Sequence, residues 1–135
     1  MPIDVALSTN TPTATIEMRQ AQSLAEGHHL AAFLLVRSGA FAAAMPFVFS
    51  RDALESFADA LEALSATRSG EATLRSIEND DVIRFDTSEE AQLRIGGDLS
   101  EEADAQRLTF RFAAEWAGLD AFLMGIRRLR TGHAT

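Results

Sequence analysis

Residues 107–130 read RLTFRFAAEWAGLDAFLMGIRRLR, and two hydrophobic periods meet within them. Leu108, Phe110 and Phe112 alternate with Arg107, Thr109 and Arg111, the period-two pattern of a strand with one buried face. From Ala117 to about Arg130 the period becomes helical: Leu119, Phe122, Leu123, Ile126 and Leu129 fall on one stripe. Arg127, Arg128 and Arg130 sit in the last turn, where cations suit the negative end of the helix dipole. The same phrase occurs earlier in the chain. A strand over Phe41–Phe49 leads to a helix over Arg51 to about Thr67, with Leu54, Phe57, Ala58, Leu61 and Leu64 on its apolar stripe and Glu55, Asp59 and Glu62 pointing away. Leu54-x2-Phe57-x3-Leu61-x2-Leu64 matches Leu119-x2-Phe122-x3-Ile126-x2-Leu129 position for position. Any amphipathic helix shows this spacing, so convergence is the simpler account. Ser50 is placed to cap the first helix and Gly70 to end its connection.

The remaining segments read as strands. Ile3, Val5 and Leu7 alternate, and after a turn over Ser8–Pro12 so do Ala14, Ile16 and Met18. Glu26–His29 reads as a loop, and Leu30–Val36 is apolar on both faces, as in a central strand. Pro46 marks its own strand as an edge or a bulge, because proline cannot donate to a ladder. Beyond the first helix, Ala72 with Leu74, Ile83 with Phe85, and Leu93 with Ile95 begin further short strands, and Gly96-Gly97 suggests a turn or bulge. These patterns predict an α+β domain over residues 1–135, with 131–135 as a frayed tail. Its architecture is a two-layer sandwich: a mainly antiparallel sheet of about six to eight strands with two amphipathic helices on one face.

Composition sets limits on function. With 47% apolar residues the chain can build a core without props, and the absence of cysteine excludes disulfides, thiolate zinc sites and thiol chemistry. The N-terminus lacks the basic and apolar regions of a secretory signal. The longest apolar stretch falls well short of the roughly 20 residues that span a bilayer, so no membrane partner and a cytoplasmic location are expected. All 12 basic residues are arginine, which reads as a coding bias. A net charge of −8 argues against a nucleic-acid partner, which needs a basic footprint.

The charge is unevenly placed. Residues 78–104 hold ten acids against Arg84 and Arg94, a local charge of −8 equal to the net charge of the chain. Solubility explains acidic turns; the alternative is a surface that steers a basic partner by its field. The sheet face opposite the helices presents Arg75, Arg84, Arg94, Arg107 and Arg111, which either pair across strands or recognise a partner. Candidate partner-binding residues are therefore Glu78, Asp80, Asp81, Arg84, Asp86, Glu89, Glu90, Arg94 and Arg111. No phosphate loop, dinucleotide fingerprint, nucleophile elbow or zinc-protease motif occurs, so no catalytic, cofactor or metal residue is assigned. His28 and His29 are adjacent and diverge, and His133 lies in the tail. Glu101, Glu102 and Asp104 lack the ligand spacing of a calcium loop. Trp116 opens the last helix, half-buried with its N–H to water or a carbonyl, or else as an interface anchor.

The order of these segments carries a resemblance. After the turn at Ser38-Gly39 come Leu54-x2-Phe57-x3-Leu61-x2-Leu64, Gly70-Glu71-Ala72-Thr73-Leu74, Ile83-Arg84-Phe85 and Leu93-Arg94-Ile95-Gly96-Gly97-Asp98-Leu99. Leu108-Thr109-Phe110-Arg111-Phe112 and Leu119-x2-Phe122-x3-Ile126 complete the series. Over about residues 36 to 129 this resembles the small bacterial WapI-type immunity proteins, departing from them in Ala42-Ala43-Ala44 and in having no tyrosine. The resemblance implies a non-enzymatic protein that neutralises a cognate toxin by direct binding. Its matching positions are core positions, so no toxin-contacting residue is carried over. The alternative is a structural or accessory domain that self-associates as a homodimer through the Leu30–Val36 strand or the Pro46 edge.

Overall fold

The computed structural model describes residues 2–8, 14–88, 90–101 and 106–132. Its elements run β1 (Ile3–Ser8), β2 (Ala14–Ser23), β3 (His29–Ser38), β4 (Phe41–Ser50), α1 (Arg51–Thr67), β5 (Glu71–Arg75), β6 (Val82–Thr87), β7 (Leu93–Glu101), β8 (Gln106–Ala114) and α2 (Trp116–Gly132). The α+β class, the antiparallel pairing and the two amphipathic helices are as the sequence implied. The eight strands are shared between two four-stranded sheets, ordered β1-β2-β3-β4 and β5-β6-β7-β8. Each sheet is a meander that ends in a helix, so the strand-to-helix phrase read in the sequence closes each of two ββββα halves.

The halves interlock. Helix α1 leaves the first sheet and lies against β5 of the second, whereas α2 leaves the second sheet and lies against β1 of the first. The two helices also pack on each other. Their repeated phenylalanines meet: Phe57 and Phe122 stand edge to face at 6.5 Å, and both contact Phe85 of β6, at 5.8 and 5.0 Å. Gly125 lets α2 approach β1 closely, since a Cβ there would lie 2.9 Å from Val5 Cγ1. Ion pairs run antiparallel along the seam between the helices. Arg127 grips both carboxylate oxygens of Glu62 at 2.6 Å, and Arg130 reaches Glu55 and, at 2.8 Å, Asp59. The acids that turn away from the α1 core stripe thus edge a second contact, and Arg127 and Arg130 serve the neighbouring helix as well as their own dipole.

Local signals were realised unevenly. Ser50 caps α1 by accepting from the Ala53 amide at 3.0 Å, and the helix ends at Arg68, which takes the left-handed conformation two residues before Gly70. Strand β3 lies inside the first sheet, and Pro46 lies on an edge strand with its register intact. Strand β2 continues past Arg19 to Ser23 through a bulge, at which Gln20 has φ 54 and its amide donates to Asp4 Oδ1 at 2.8 Å. The expected turn or bulge at Gly96-Gly97 is absent: both glycines lie within β7, and the register with β6 and β8 runs unbroken through them. Close backbone approach explains the pair, since a Cβ would lie 2.2 Å from the Val82 carbonyl oxygen at Gly97 and 2.9 Å from that of Phe110 at Gly96. Helix α2 includes Thr131 and Gly132, which were expected in a frayed tail; residues 133–135, with His133, lie outside the described residues.

Candidate functional site: the outer face of the second sheet

Strand alternation turns Ala72, Leu74, Ile83, Phe85, Leu93, Ile95, Gly97, Leu99 and Phe110 inward, which leaves the polar residues of β5–β8 on the outer face. The five arginines read from the sequence, Arg75, Arg84, Arg94, Arg107 and Arg111, all lie there. Pairing then sets them in rows. Arg84 and Arg111 stand directly opposite Gly96 from its two sides, and the next row holds Asp86, Arg94 and Ala113. The row on the other side holds Val82, Asp98 and Thr109. Because Gly96 has no side chain, the flanking residues wall a cavity of ≈ 310 Å³ over the middle of the sheet.

Most of these side chains are held by neighbours. Arg94 Nε lies 3.1 Å from Asp86 Oδ1, a cross-strand pair on the outer face. Thr109 donates to Asp98 Oδ1 at 2.5 Å, and Arg84 lies 3.6 Å from Glu71. Arg111 is exposed and makes no ion pair or hydrogen bond with any described residue. The notch therefore places one unengaged guanidinium and one loosely paired guanidinium on either side of a bare backbone floor. Planar, multi-donor groups of this kind suit a carboxylate or a similar anion presented from outside.

The other candidates lie apart from the notch. Glu78 and Asp80 are exposed in the connection between β5 and β6, and Glu90 is exposed in the connection between β6 and β7. The length of β6 separates them by about 17 Å, at ~3.3 Å per residue. The acidic run of the sequence is therefore divided between the two ends of a sheet instead of forming one patch. Glu89, Glu102 and Asp104 lie outside the described residues. Asp81 is 3% exposed, with one carboxylate oxygen accepting from both the amide and the hydroxyl of Ser100 at 2.8 Å. Its own amide donates to Asn79 Oδ1 and its carbonyl accepts from the Ser76 amide. Asp81 thus pins the β5–β6 connection to β7 and is withdrawn from the surface on which the sequence had placed it.

Sequence reasoning missed Gly96, Asp98 and Thr109 as members of the site. The available signal was the glycine pair inside an otherwise alternating strand, which marks close backbone approach as readily as a turn. Trp116 is half-buried, its indole N–H donating to the Ala91 carbonyl at 3.3 Å under the Arg68 guanidinium, and so it braces the β6–β7 connection. His29 opens β3 beside Glu26, and no cluster suited to a metal ion occurs among the described residues. No helix among them is long and apolar enough to cross a membrane.

Three comparisons bear on identity. A search of curated proteins finds no match. Among solved structures the chain is similar to the MRP1/MRP2 crystal structures of Trypanosoma brucei, with a TM-score of 0.51 and 13% identity over 100% of this chain and 90% of that one. At that identity the likeness speaks for the fold alone, and it extends over both ββββα halves. The family model of the WapI-like immunity proteins matches residues 13–129, which takes in β2 to β8, α1, α2 up to Leu129 and every residue of the notch. The chain belongs to the WapI-like immunity protein family.

Proposed function

We propose that this chain is an immunity protein that neutralises a cognate toxin by binding it, without catalysis, and that the outer face of the second sheet is its binding surface. One observation carries the choice of surface: Arg84 and Arg111 bracket a side-chain-free floor at Gly96, and Arg111 has no partner among the described residues. A carboxylate from the toxin enters the notch and is held between the two guanidinium groups. Interfaces concentrate their energy in a few arginine and aromatic anchors of this kind. The exposed acids Glu78, Asp80 and Glu90 stand at the two ends of the sheet, where with the net charge of −8 they speed the approach of a basic partner and add little to the affinity.

The test is to search the neighbouring genes for a toxin domain and to titrate this protein against it by calorimetry. Charge reversal at Arg111, alone or with Arg84, is expected to weaken binding about tenfold or more, the ~1.4 kcal/mol of a modest anchor. Neutralising Glu78 and Asp80 should instead slow association and reduce its salt dependence. Full affinity in the Arg84→Glu, Arg111→Glu double variant would remove the notch from the proposal, and the lack of any stoichiometric toxin partner would remove the function.

A further inference from the structure

Strand β4 is the edge of the first sheet, and the manner of its exposure indicates what pairs with it. The Val48 carbonyl turns outward, away from β3, to accept from the Ile77 amide at 2.9 Å. In an antiparallel strand the N–H and C=O of one residue point to the same side and neighbouring residues alternate, so Ala42 and Ala44 also turn their main-chain groups outward. Nothing among the described residues pairs with them. Edges of this kind are normally blunted by charges on the strand itself, and this strand carries none: no charged residue stands between Arg37 and Arg51. Phe41, at the start of the strand, is 67% exposed. Alongside runs a cleft of ≈ 280 Å³ walled by Phe41, Met45, Leu99 and Leu108, with Gln106 and Arg107 on its far side.

We propose that the β4 edge pairs antiparallel with the β4 edge of a second copy of this chain, about a two-fold axis passing beside Ala43. In that register Ala42 and Ala44 of one copy exchange hydrogen bonds with Ala44 and Ala42 of the other. Phe41 lies across from Met45 on the side of the cleft. The segment Phe-Ala-Ala-Ala-Met is apolar when read from either direction, as a two-fold contact between identical strands requires. Electrostatics favours the same place, because copies carrying −8 each repel one another least along a strand that bears no acid. Pro46, which has no N–H, and the Ile77 contact at Val48 end the pairing on one side. The notch over Gly96 lies on the other sheet and is not required for this pairing.

Sedimentation equilibrium over about a hundredfold range of concentration, with amide exchange at each end of the range, tests the proposal. A reversible dimer is expected, with the Ala42 and Ala44 amides gaining protection as it forms. Ala44→Pro deletes a donor that no ladder bond within the chain uses, at a position of the same parity as the tolerated Pro46. It should abolish the dimer with a near-unchanged circular dichroism spectrum. Phe41→Asp, which sets a charge against the apolar Met45 of the other copy at each end of the pairing, should do the same even if the proline variant is poorly folded. A monomer at every concentration overturns the proposal, as does a dimer that persists in Phe41→Asp.

Discussion

The two halves of this protein share one plan and expose opposite surfaces. When Leu54 of α1 is aligned with Leu119 of α2, Phe47 falls on Phe112 and Pro46 on Arg111. The ladders extend the match: Phe33, opposite Pro46, corresponds to Gly96, opposite Arg111. Ala31, Phe33 and Leu35 on the outer face of β3 thus stand where Arg94, Gly96 and Asp98 stand on β7. Phe33 is 42% exposed, so the first sheet turns an apolar ridge outward at the place where the second has a notch walled by charges. On the next strand over, Arg19 pairs with Phe33 as Arg84 pairs with Gly96. The plan requires one apolar face per sheet and a phenylalanine on each helix; it leaves the other face free, and that freedom is where the halves acquired different surfaces.

Substitutions at equivalent inward positions would break this parallel most sharply. Leu34 on β3 corresponds to Gly97 on β7, one filling its space and the other leaving none. Leu34→Ala should cost about 2–5 kcal/mol by opening a cavity in the first half. Gly97→Val should cost at least as much, because its Cβ would lie 2.2 Å from the Val82 carbonyl oxygen, a backbone atom that cannot swing aside. Urea denaturation measures both. Near-wild-type stability in Gly97→Val would mean that β7 does not run straight through its glycines.

Asp81→Ala should have an intermediate effect, about 1–3 kcal/mol, as the Ser100 amide and hydroxyl lose their buried acceptor. The loss should be accompanied by faster amide exchange confined to the second sheet, so that the same experiment separates the halves.

The seam that joins the halves should give the smallest effect. The hydrogen bond from Arg127 holds the Glu62 carboxyl below its ordinary value of 4.5. A carboxyl whose pKa is lowered on folding contributes stability that is present above its unfolded value and is lost as the pH falls through its folded value. Thermal midpoints should therefore decline in acid below about 4.5 a little more steeply in the wild type than in Arg127→Ala. Both side chains are well exposed, so the difference is small. Parallel curves would show that the pair contributes nothing to the contact between the helices.

Much of this architecture was legible because it rests on local periods. The cap at Ser50, the stripes of α1 and α2, the edge status of Pro46 and the outward arginines each follow from a few adjacent residues. Gly96-Gly97 was misread because a glycine pair signals a turn locally, whereas here the reason for glycine lies on the neighbouring strands. Asp81 was misread for the same kind of reason: a carboxylate in a polar connection belongs on the surface unless a distant amide, here that of Ser100, comes to meet it.

By itself the sequence determined the class, the strand-to-helix phrase stated twice, the uncharged run around β4 and the sign of the charge, since each of these is a property of composition or of period. Tertiary structure decided the division into two sheets, the exchange of helices between them, the splitting of the acidic run and the gathering of Arg84, Asp86, Arg94 and Arg111 around Gly96. The physical reason is that strand register and helix docking are fixed by backbone pairing and by shape between segments far apart in the chain, and no local period records which row of one strand will face which row of the next.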